Sequence, residues 1–148
     1  MSNAPATIDN LTYSYQNNSN TLLAVSDNTN TANAKLGDFI NGTNTGNDYS
    51  YDGNGNIKED RNKKISLISY HHQNLPQEVR VTGKGIITYL YDAAGNKLRK
   101  IGTDSTGGTV KVSKTDYMGS FVYENDSLQL IGHTEGRIRV FYTAGTPP

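Results

Sequence analysis

A short aromatic motif recurs four times along the chain and constrains the fold more than any other feature of the sequence. In each copy an aromatic residue and a tyrosine stand two positions apart, directly before a polar stretch. The copies are Tyr13-Ser14-Tyr15-Gln16, Tyr49-Ser50-Tyr51-Asp52, Tyr89-Leu90-Tyr91-Asp92 and Phe121-Val122-Tyr123-Glu124. Side chains two apart lie on one face of a β-strand, because successive side chains alternate between its faces. The pattern therefore predicts a repeat protein with a strand at each motif.

Two of the motifs are followed by residues typical of tight turns. Asp52-Gly53-Asn54-Gly55 and Asp92-Ala93-Ala94-Gly95 both have Asp first and Gly fourth. Asp can accept a hydrogen bond from the backbone two residues further on, and Gly can adopt the left-handed conformation that closes a type I turn with a bulge. We therefore predict hairpin tips at 52–55 and 92–95, with positive φ angles at Gly55 and Gly95.

Further strands are predicted wherever apolar and polar residues alternate. They lie at 65–70, 75–81, 86–91, 97–102, 109–117, 120–123, 128–133 and 137–142, with a turn at 71–74 and loops at 26–48 and 103–108. The first loop surrounds a small apolar island at 36–40, which has room for one short strand. Tyr70 lies 19 residues after Tyr51 and 21 before Tyr91, so the predicted period is near 20 residues, one hairpin per unit.

The fold class predicted from these signals is all-β, with consecutive antiparallel hairpins in a twisted strip. No amphipathic helix is evident, and we expect helix in fewer than about a tenth of the residues, far below the usual third. The chain has ten tyrosines and no tryptophan, so tyrosine supplies most of its aromatic surface. A buried tyrosine needs a hydrogen-bond partner for its hydroxyl. The predicted core is therefore thin.

The charge and cysteine content exclude several classes of protein. Lys plus Arg and Asp plus Glu both number 14, so no net field favours nucleic acid. The absence of cysteine excludes a disulfide scaffold and a cysteine zinc site. No apolar run approaches the roughly 18–20 residues of a membrane span, and the N-terminus lacks the regions of a signal peptide.

The sequence resembles the RHS/YD-repeat family of bacterial secreted and cell-surface proteins. The resemblance is carried by Tyr51-Asp52-Gly53-Asn54-Gly55-Asn56 and Tyr91-Asp92-Ala93-Ala94-Gly95-Asn96, both of the form Y-D-x-x-G-N. It implies a ribbon of hairpins that coils into a large β-shell enclosing a toxin or another effector, as in polymorphic toxins. The implied partners are the remaining repeats and the effector domain of the parent chain, and the implied location is secreted or at the cell surface. The self-cleaving core segment of the family has no counterpart in this sequence.

The predicted organisation has three parts. Residues 1–10 form a tail that includes a vector-like Ser2-Asn3-Ala4, residues 11–142 form the repeat region, and residues 143–148 form a second tail. We accordingly expect a fragment of the repeat region of a longer protein. Such a fragment would expose strands near 11–15 and 137–142 and associate through these edges, with the Val140 N–H among the edge donors. Two arginines on one face of the second strand would favour a closed dimer.

The residues that suggest chemistry have simpler structural explanations. His71 and His72 are adjacent in a turn, where side chains point apart and make a poor metal pair. His133 and Glu135 would share a strand face but lack a third ligand or a nucleophile. Asp52 and Asp92 occupy positions that turn formation already explains. We therefore predict no catalytic, cofactor-binding or metal-binding residues, and no enzyme activity.

Two functions from different classes remain open. The first is a structural segment of a β-shell, which would bury the paired tyrosines for cross-strand packing. The second is a cell-surface binding module whose exposed tyrosine faces grip carbohydrate or a protein partner. Tyrosine exposure distinguishes the two.

Overall fold

The computed structural model describes residues 7–29, 39, 41–42 and 45–142. Within these ranges the chain forms β-strands and no helix, which confirms the all-β prediction. The strands are β1 Leu11–Tyr15, β2 Leu22–Asp27, β3 Tyr49–Tyr51, β4 Ile57–Asp60, β5 Ile65–Tyr70, β6 Pro76–Val81, β7 Gly85–Tyr91, β8 Lys97–Asp104, β9 Lys111–Met118, β10 Phe121–Glu124, β11 Ser127–His133 and β12 Gly136–Arg139. The pairs β1–β2, β3–β4 and β4–β5 are antiparallel, and so are all the neighbouring pairs from β6 to β12.

The chain divides into two compact units, Met1–Ser66 and Leu67–Pro148, and β5 contributes residues to both. In the first unit β1 and β2 form a two-stranded hairpin, and β3 and β4 form a second hairpin. Asp48 stands just before β3, where its carboxylate accepts a hydrogen bond of 2.7 Å from the Val25 N–H of β2. The backbone N–H of Asp48 donates to the Leu23 carbonyl at 2.8 Å, so this junction is bonded from both sides.

In the second unit each strand lies beside the next strand of the chain, from β5 through to β12. The register is continuous across the middle of this sheet. Tyr89 of β7 pairs with Lys100 of β8, which pairs with Thr115 of β9. Directly opposed residues share a face of the sheet. We call the side that carries Tyr89 and Thr115 the tyrosine face, and the side that carries Leu90 the opposite face.

The observed strands match the predicted ones to within a few residues, with four differences. The returning strands β2 and β4 were not predicted as separate strands. β2 continues to Asp27, two residues into the predicted 26–48 loop, and β8 continues to Asp104, so the second loop runs over 105–110. The apolar island at 36–40, most of the first loop, the vector-like residues and the 143–148 tail lie largely or wholly outside the described residues.

A β-bulge stands at the same place in all four copies of the aromatic motif. The register shifts directly before the second tyrosine in each copy, between Ser14 and Tyr15, Ser50 and Tyr51, Leu90 and Tyr91, and Val122 and Tyr123. A bulge places one extra residue on one strand and increases the local right-handed twist. The four motifs therefore share a backbone irregularity as well as a sequence pattern.

The core is thin, as the tyrosine content predicted. Among the described residues Val25 is the single buried hydrophobic residue, 7% exposed, and no side chain is fully buried. In the same part of the chain three polar residues are also buried: Asp48, Asp60 and Thr115. Both faces of the sheet in the second unit therefore carry half-exposed side chains.

Candidate functional site: turns, tyrosines and an aromatic row

The second Y-D-x-x-G-N motif closes its turn around one carboxylate. Oδ1 of Asp92 accepts hydrogen bonds from the backbone N–H groups of Ala94 at 2.9 Å and Asn96 at 2.8 Å. The Asn96 side-chain amide donates to Oδ2 of Asp92 at 2.9 Å, and the Gly95 N–H donates to the Asp92 carbonyl at 3.1 Å. Both carboxylate oxygens are thus used inside the turn. The Asn96 amide, followed by its backbone N–H, lowers the pKa of Asp92 below its ordinary value.

The first motif repeats this arrangement. Oδ1 of Asp52 accepts from the N–H groups of Asn54 and Asn56, both at 2.9 Å, and the Asn56 amide donates to Oδ2 at 2.9 Å. The pKa of Asp52 is lowered by the same first cause, the side-chain amide of its asparagine. We call each set a turn cage, Asp52 with Asn56 and Asp92 with Asn96. The Tyr-Asp turn is therefore a structural unit, and its aspartates are committed to the backbone.

The predicted glycine conformations are confirmed. Gly55 has φ 85° and Gly95 has φ 87°, both left-handed. The turn of the fourth copy departs from the motif, and it is closed by Asn125 at φ 47° and Asp126 at φ 70°. Two consecutive left-handed residues are typical of a type I′ hairpin turn, for which Asn is well suited.

The 71–74 turn is a further version of the turn cage. Nδ1 of His71 accepts a hydrogen bond from the Gln73 N–H at 2.9 Å, the role that Oδ1 of Asp92 has with Ala94. The Asn74 N–H donates to the His71 carbonyl at 2.9 Å, and Asn74 has φ 64° where the motif has Gly. Tyr70-His71-x-x-Asn74 is therefore a diverged copy of the repeat, which agrees with a period near 20 residues.

Within the described ranges, three tyrosine hydroxyls bond to the backbone of an earlier hairpin. Tyr51 donates to the Leu22 carbonyl at 2.7 Å, Tyr91 to the Pro76 carbonyl at 2.9 Å and Tyr142 to the Leu128 carbonyl at 2.8 Å. Leu22 pairs with Tyr15, and Leu128 pairs with Tyr123, so two of the acceptors lie opposite the tyrosine of the preceding motif. We call these contacts tyrosine latches. Tyr142 follows Tyr123 by 19 residues, close to the repeat period, yet sequence reasoning did not include it among the motifs.

An aromatic row crosses the second unit on its tyrosine face, formed by His71, Tyr91, Tyr89, Lys97 and Tyr117. The His71 and Tyr91 ring centroids are 5.0 Å apart and edge-on, and those of Tyr89 and Tyr91 are 6.3 Å apart. Nζ of Lys97 lies 4.7 Å from the Tyr89 ring centroid and 5.9 Å from that of Tyr117. Burial, with a smaller contribution from Tyr89, raises the pKa of Tyr91 above its ordinary value.

The opposite face of the same strands carries an ion network. Arg99 pairs with Asp116 across β8 and β9, and Nζ of Lys114 lies 3.7 Å from Asp116 and 2.5 Å from Asp126. The hydrogen bond from Arg99 is the main cause that lowers the pKa of Asp116. Opposite charges that are directly opposed stabilise a strand pair and fix its register. This network has a structural role. It could have been predicted from the sequence only with the register of β8 against β9, which sets Arg99 opposite Asp116.

The first unit has an open groove of about 830 Å³ between the β1–β2 turn and β3. Its lining includes Gln16, Asn20 and Asn47 together with Tyr49 and Tyr51. Burial, followed by the nearby charges of Asp60 and Asp48, raises the pKa of Tyr49. Side-chain amides can hydrogen-bond to a polar ring compound, and aromatic rings can stack on it.

The histidine predictions need correction. The rings of His71 and His72 do not point apart, because their centroids are 5.0 Å apart. His133 and Glu135 do not share a strand face, because β11 ends at His133 and Glu135 lies in the turn before β12, where its N–H approaches Nδ1 of His133 at 3.3 Å. Among the described residues no group of three or more His, Cys, Asp or Glu side chains is placed to hold a metal ion.

Asp52 and Asp92 lie where the motif predicted, each inside its own turn cage. In the described part of the chain no helix is long and apolar enough to cross a membrane. A scan against protein-family models, a search of curated proteins and a search of solved structures find no match for this chain. The resemblance to the RHS/YD-repeat family therefore stays a prediction.

Proposed function

We propose that the chain is a non-catalytic structural segment, a scaffold of consecutive hairpins. The observation that carries this proposal is the set of tyrosine latches at Tyr51, Tyr91 and Tyr142. In each latch the tyrosine hydroxyl is hydrogen-bonded to a neighbouring hairpin. This bond stabilises the arrangement of the hairpins, as expected of a scaffold. The turn cages support the same role, since in both the Asp and Asn side chains are hydrogen-bonded to each other inside the turn. Each Asp also accepts hydrogen bonds from the turn backbone.

In its full form the scaffold would be part of an RHS/YD-repeat shell that encloses or presents a toxin or effector, secreted or displayed at the cell surface. Each bulge adds right-handed twist directly before a tip, and a ribbon that twists at every hairpin coils instead of lying flat. Coiling is what a shell built from one ribbon requires. The remaining repeats and the effector of the parent chain would be its partners.

Duplicating one hairpin tests the scaffold role. The variant carries a second copy of residues 82–104 directly after Asp104, so that the extra β7–β8 pair lies between the original β8 and β9. A repeat scaffold depends on nearest-neighbour contacts and should accept the unit. We expect β-type circular dichroism and cooperative urea unfolding, with a larger m value because more surface is exposed on unfolding.

The control is an insertion of the same length and composition in scrambled order. The scrambled segment keeps the tyrosines but loses the turn-cage sequence and the two-residue spacing of the tyrosine pair, and it should lower stability or remain unfolded. If the duplicated hairpin disrupts folding as much as the scrambled one, the second unit is not a repeat scaffold.

A binding module for carbohydrate is the second candidate, and one observation favours it. The first aromatic pair is open to solvent, with Tyr13 51% and Tyr15 54% exposed, whereas the pairs on β3 and β7 are half-buried. Exposed aromatic faces can stack on sugar rings. A glycan array tests this candidate. It would be favoured over the scaffold if the wild type binds a glycan reproducibly and a Tyr13→Ala/Tyr15→Ala variant of unchanged thermal stability does not.

A further inference from the structure

The last strand of the second unit has an outer edge with a defined set of backbone donors and acceptors. Directly after β12 the Val140 N–H donates to the Gln129 carbonyl at 3.0 Å, so this position bonds inward to β11. Gly132 of β11, which pairs with Arg137, donates instead to Ser120 at 2.7 Å on the other side. Because bonding alternates along an antiparallel pair, Arg137 and Arg139 direct their N–H and C=O groups outward. The prediction that Val140 carries an edge donor is therefore wrong.

An apolar row on the opposite face ends at this edge. It runs across four strands through the directly paired Met118, Phe121, Ile131 and Ile138. Ile138 is 53% exposed, and Met118 and Phe121 are 64% and 42% exposed. A strand added beside β12 would extend the row by one residue and cover Ile138.

The tyrosine face of the same edge is basic. Arg139 pairs with Leu130, which pairs with Val122, and Arg137 lies two residues before Arg139. Both arginines line a groove of about 280 Å³ with Val122, Gln129 and Glu124. Within the described residues neither arginine forms an ion pair, although Arg139 lies 5.7 Å from the Phe141 ring centroid.

We propose that the outer edge of β12 captures an extended segment in which an aliphatic residue stands between two carboxylates. Such a segment would pair its two acidic residues with Arg137 and Arg139 and its aliphatic residue with Ile138. The two faces of the edge select the two kinds of side chain, and the outward backbone groups supply the hydrogen bonds of strand addition. Ile138 would face its partner at a position without direct hydrogen bonds, where opposed side chains come closest.

A second copy of β12 is a poorer occupant than such a segment. A two-fold pairing centred on Ile138 would set Arg137 of each copy against Arg139 of the other. Like charges that are directly opposed destabilise a strand pair. This edge therefore favours a partner of opposite charge over the closed dimer predicted from the sequence, and the proposal holds whether or not the chain is a scaffold.

The test titrates ¹⁵N-labelled protein with the peptide STEVETS and follows the amide signals by NMR. We expect the Arg137 and Arg139 amide signals to shift most, because their N–H groups acquire acceptors. The peptide STKVKTS should bind at least tenfold more weakly. An Arg137→Glu/Arg139→Glu variant should reverse this preference, whereas the control Lys58→Glu/Lys84→Glu, which changes the net charge equally, should keep it.

N-methylated peptides separate strand addition from plain charge attraction. Methyl groups on the backbone nitrogens of both glutamates would block the hydrogen bonds to β12 and abolish binding. A methyl group on the valine nitrogen, which points away from β12, would leave binding intact. Equal binding of both methylated peptides would overturn the proposal, as would equal affinity of the acidic and basic peptides for the wild-type protein. A dimer in sedimentation equilibrium that Arg137→Glu/Arg139→Glu disrupts would identify a second copy as the occupant instead.

Discussion

The Asp-x-x-Gly-Asn turns show how much one residue can fix. The aspartate was predicted to accept a hydrogen bond from the residue two positions on, and it does so at Asp52 and Asp92. The recurring asparagine had no predicted role, yet its amide and its N–H both bond to the same carboxylate. A side chain that bonds within its own turn needs no tertiary partner, so this part of the structure could be predicted from local sequence.

Gly95 tests the turn geometry at the level of one residue. A Gly95→Val change places a β-branched side chain at φ 87° and should destabilise the fold by roughly 1–3 kcal/mol, the usual cost of such strain. Crowding contributes little, because an added Cβ would meet the nearest atom, of Leu75, at 3.4 Å. The measurement is urea unfolding.

Gly53 is the matched control for this prediction. It lies in the equivalent turn without a positive φ and has open space around its Cβ position, so Gly53→Val should change stability by less than about 0.5 kcal/mol. Gly55→Val, at φ 85° and also in open space, should cost nearly as much as Gly95→Val. Three variants of equal stability would contradict this explanation.

Asp92 makes stability depend on pH. Its pKa is lowered in the folded chain, chiefly by the Asn96 amide, so the folded state favours the ionised form. The stabilisation is fully present above the ordinary aspartate pKa of about 3.9 and is lost as the pH falls through the lowered folded value. Asp92→Asn removes this contribution. The melting temperature of the variant should therefore lie below that of the wild type at pH 7, and the difference should shrink below about pH 4.

Glu135→Gln is the control for the pH experiment, because Glu135 is exposed in a turn and its side chain makes no hydrogen bond within the described residues. Its melting temperature should follow the wild-type curve throughout. A difference between wild type and Asp92→Asn that stays constant down to pH 2 would show that the carboxylate charge is not what stabilises the turn.

At the scale of strands and hairpins, the alternation of apolar residues predicted most of the elements but not their irregularities. β5 was predicted at its observed bounds, because four of its six residues are apolar or aromatic and the predicted 71–74 turn follows directly. β4, Ile57–Asp60, was missed because a single apolar residue leaves no periodicity to detect. The register shifts before Tyr51 and Tyr91 lie outside the predicted turns at 52–55 and 92–95. They could not be predicted, since a bulge within a strand pair is decided by two strands together.

The Tyr91 latch is the prediction that belongs to this scale. Tyr91→Phe removes the hydroxyl that donates to the Pro76 carbonyl and should lower stability by about 0.5–1.5 kcal/mol, the usual net value of one hydrogen bond. Amide hydrogen exchange in β6 should accelerate, because the latch joins β7 to the start of that strand.

Tyr89→Phe serves as the control, since Tyr89 lies on the same strand and its hydroxyl makes no hydrogen bond within the described residues. Its stability and its exchange rates in β6 should match the wild type. Equal losses in the two variants would mean that the loss does not come from the hydrogen bond to Pro76, and would contradict the latch.

For the whole molecule, the fold class could be predicted and the candidate site only in part. The tyrosine pairs predicted that aromatic side chains would share a face, which Tyr89 and Tyr91 do. Lys97 and His71 also lie on that face, in contact with Tyr89 and Tyr91. These contacts depend on how different strands and turns pair, so a local sequence pattern could not predict them. The same limitation applies to β12, whose outward backbone groups depend on its register with β11.

The thin core predicts an unusual heat capacity of unfolding. Globular proteins gain about 12–15 cal/mol/K per residue, chiefly because unfolding exposes apolar surface, which for 148 residues amounts to about 1.8–2.2 kcal/mol/K. In this chain one apolar side chain among the described residues is buried, and large ones such as Leu90, 54% exposed, already face water in the folded state. The change measured by scanning calorimetry should therefore fall clearly below about 1.8 kcal/mol/K. It should also be independent of protein concentration, because association that covered the apolar side chains would raise it. A value within the globular range at the lowest concentration would mean that these side chains are covered in solution, and would contradict the thin core.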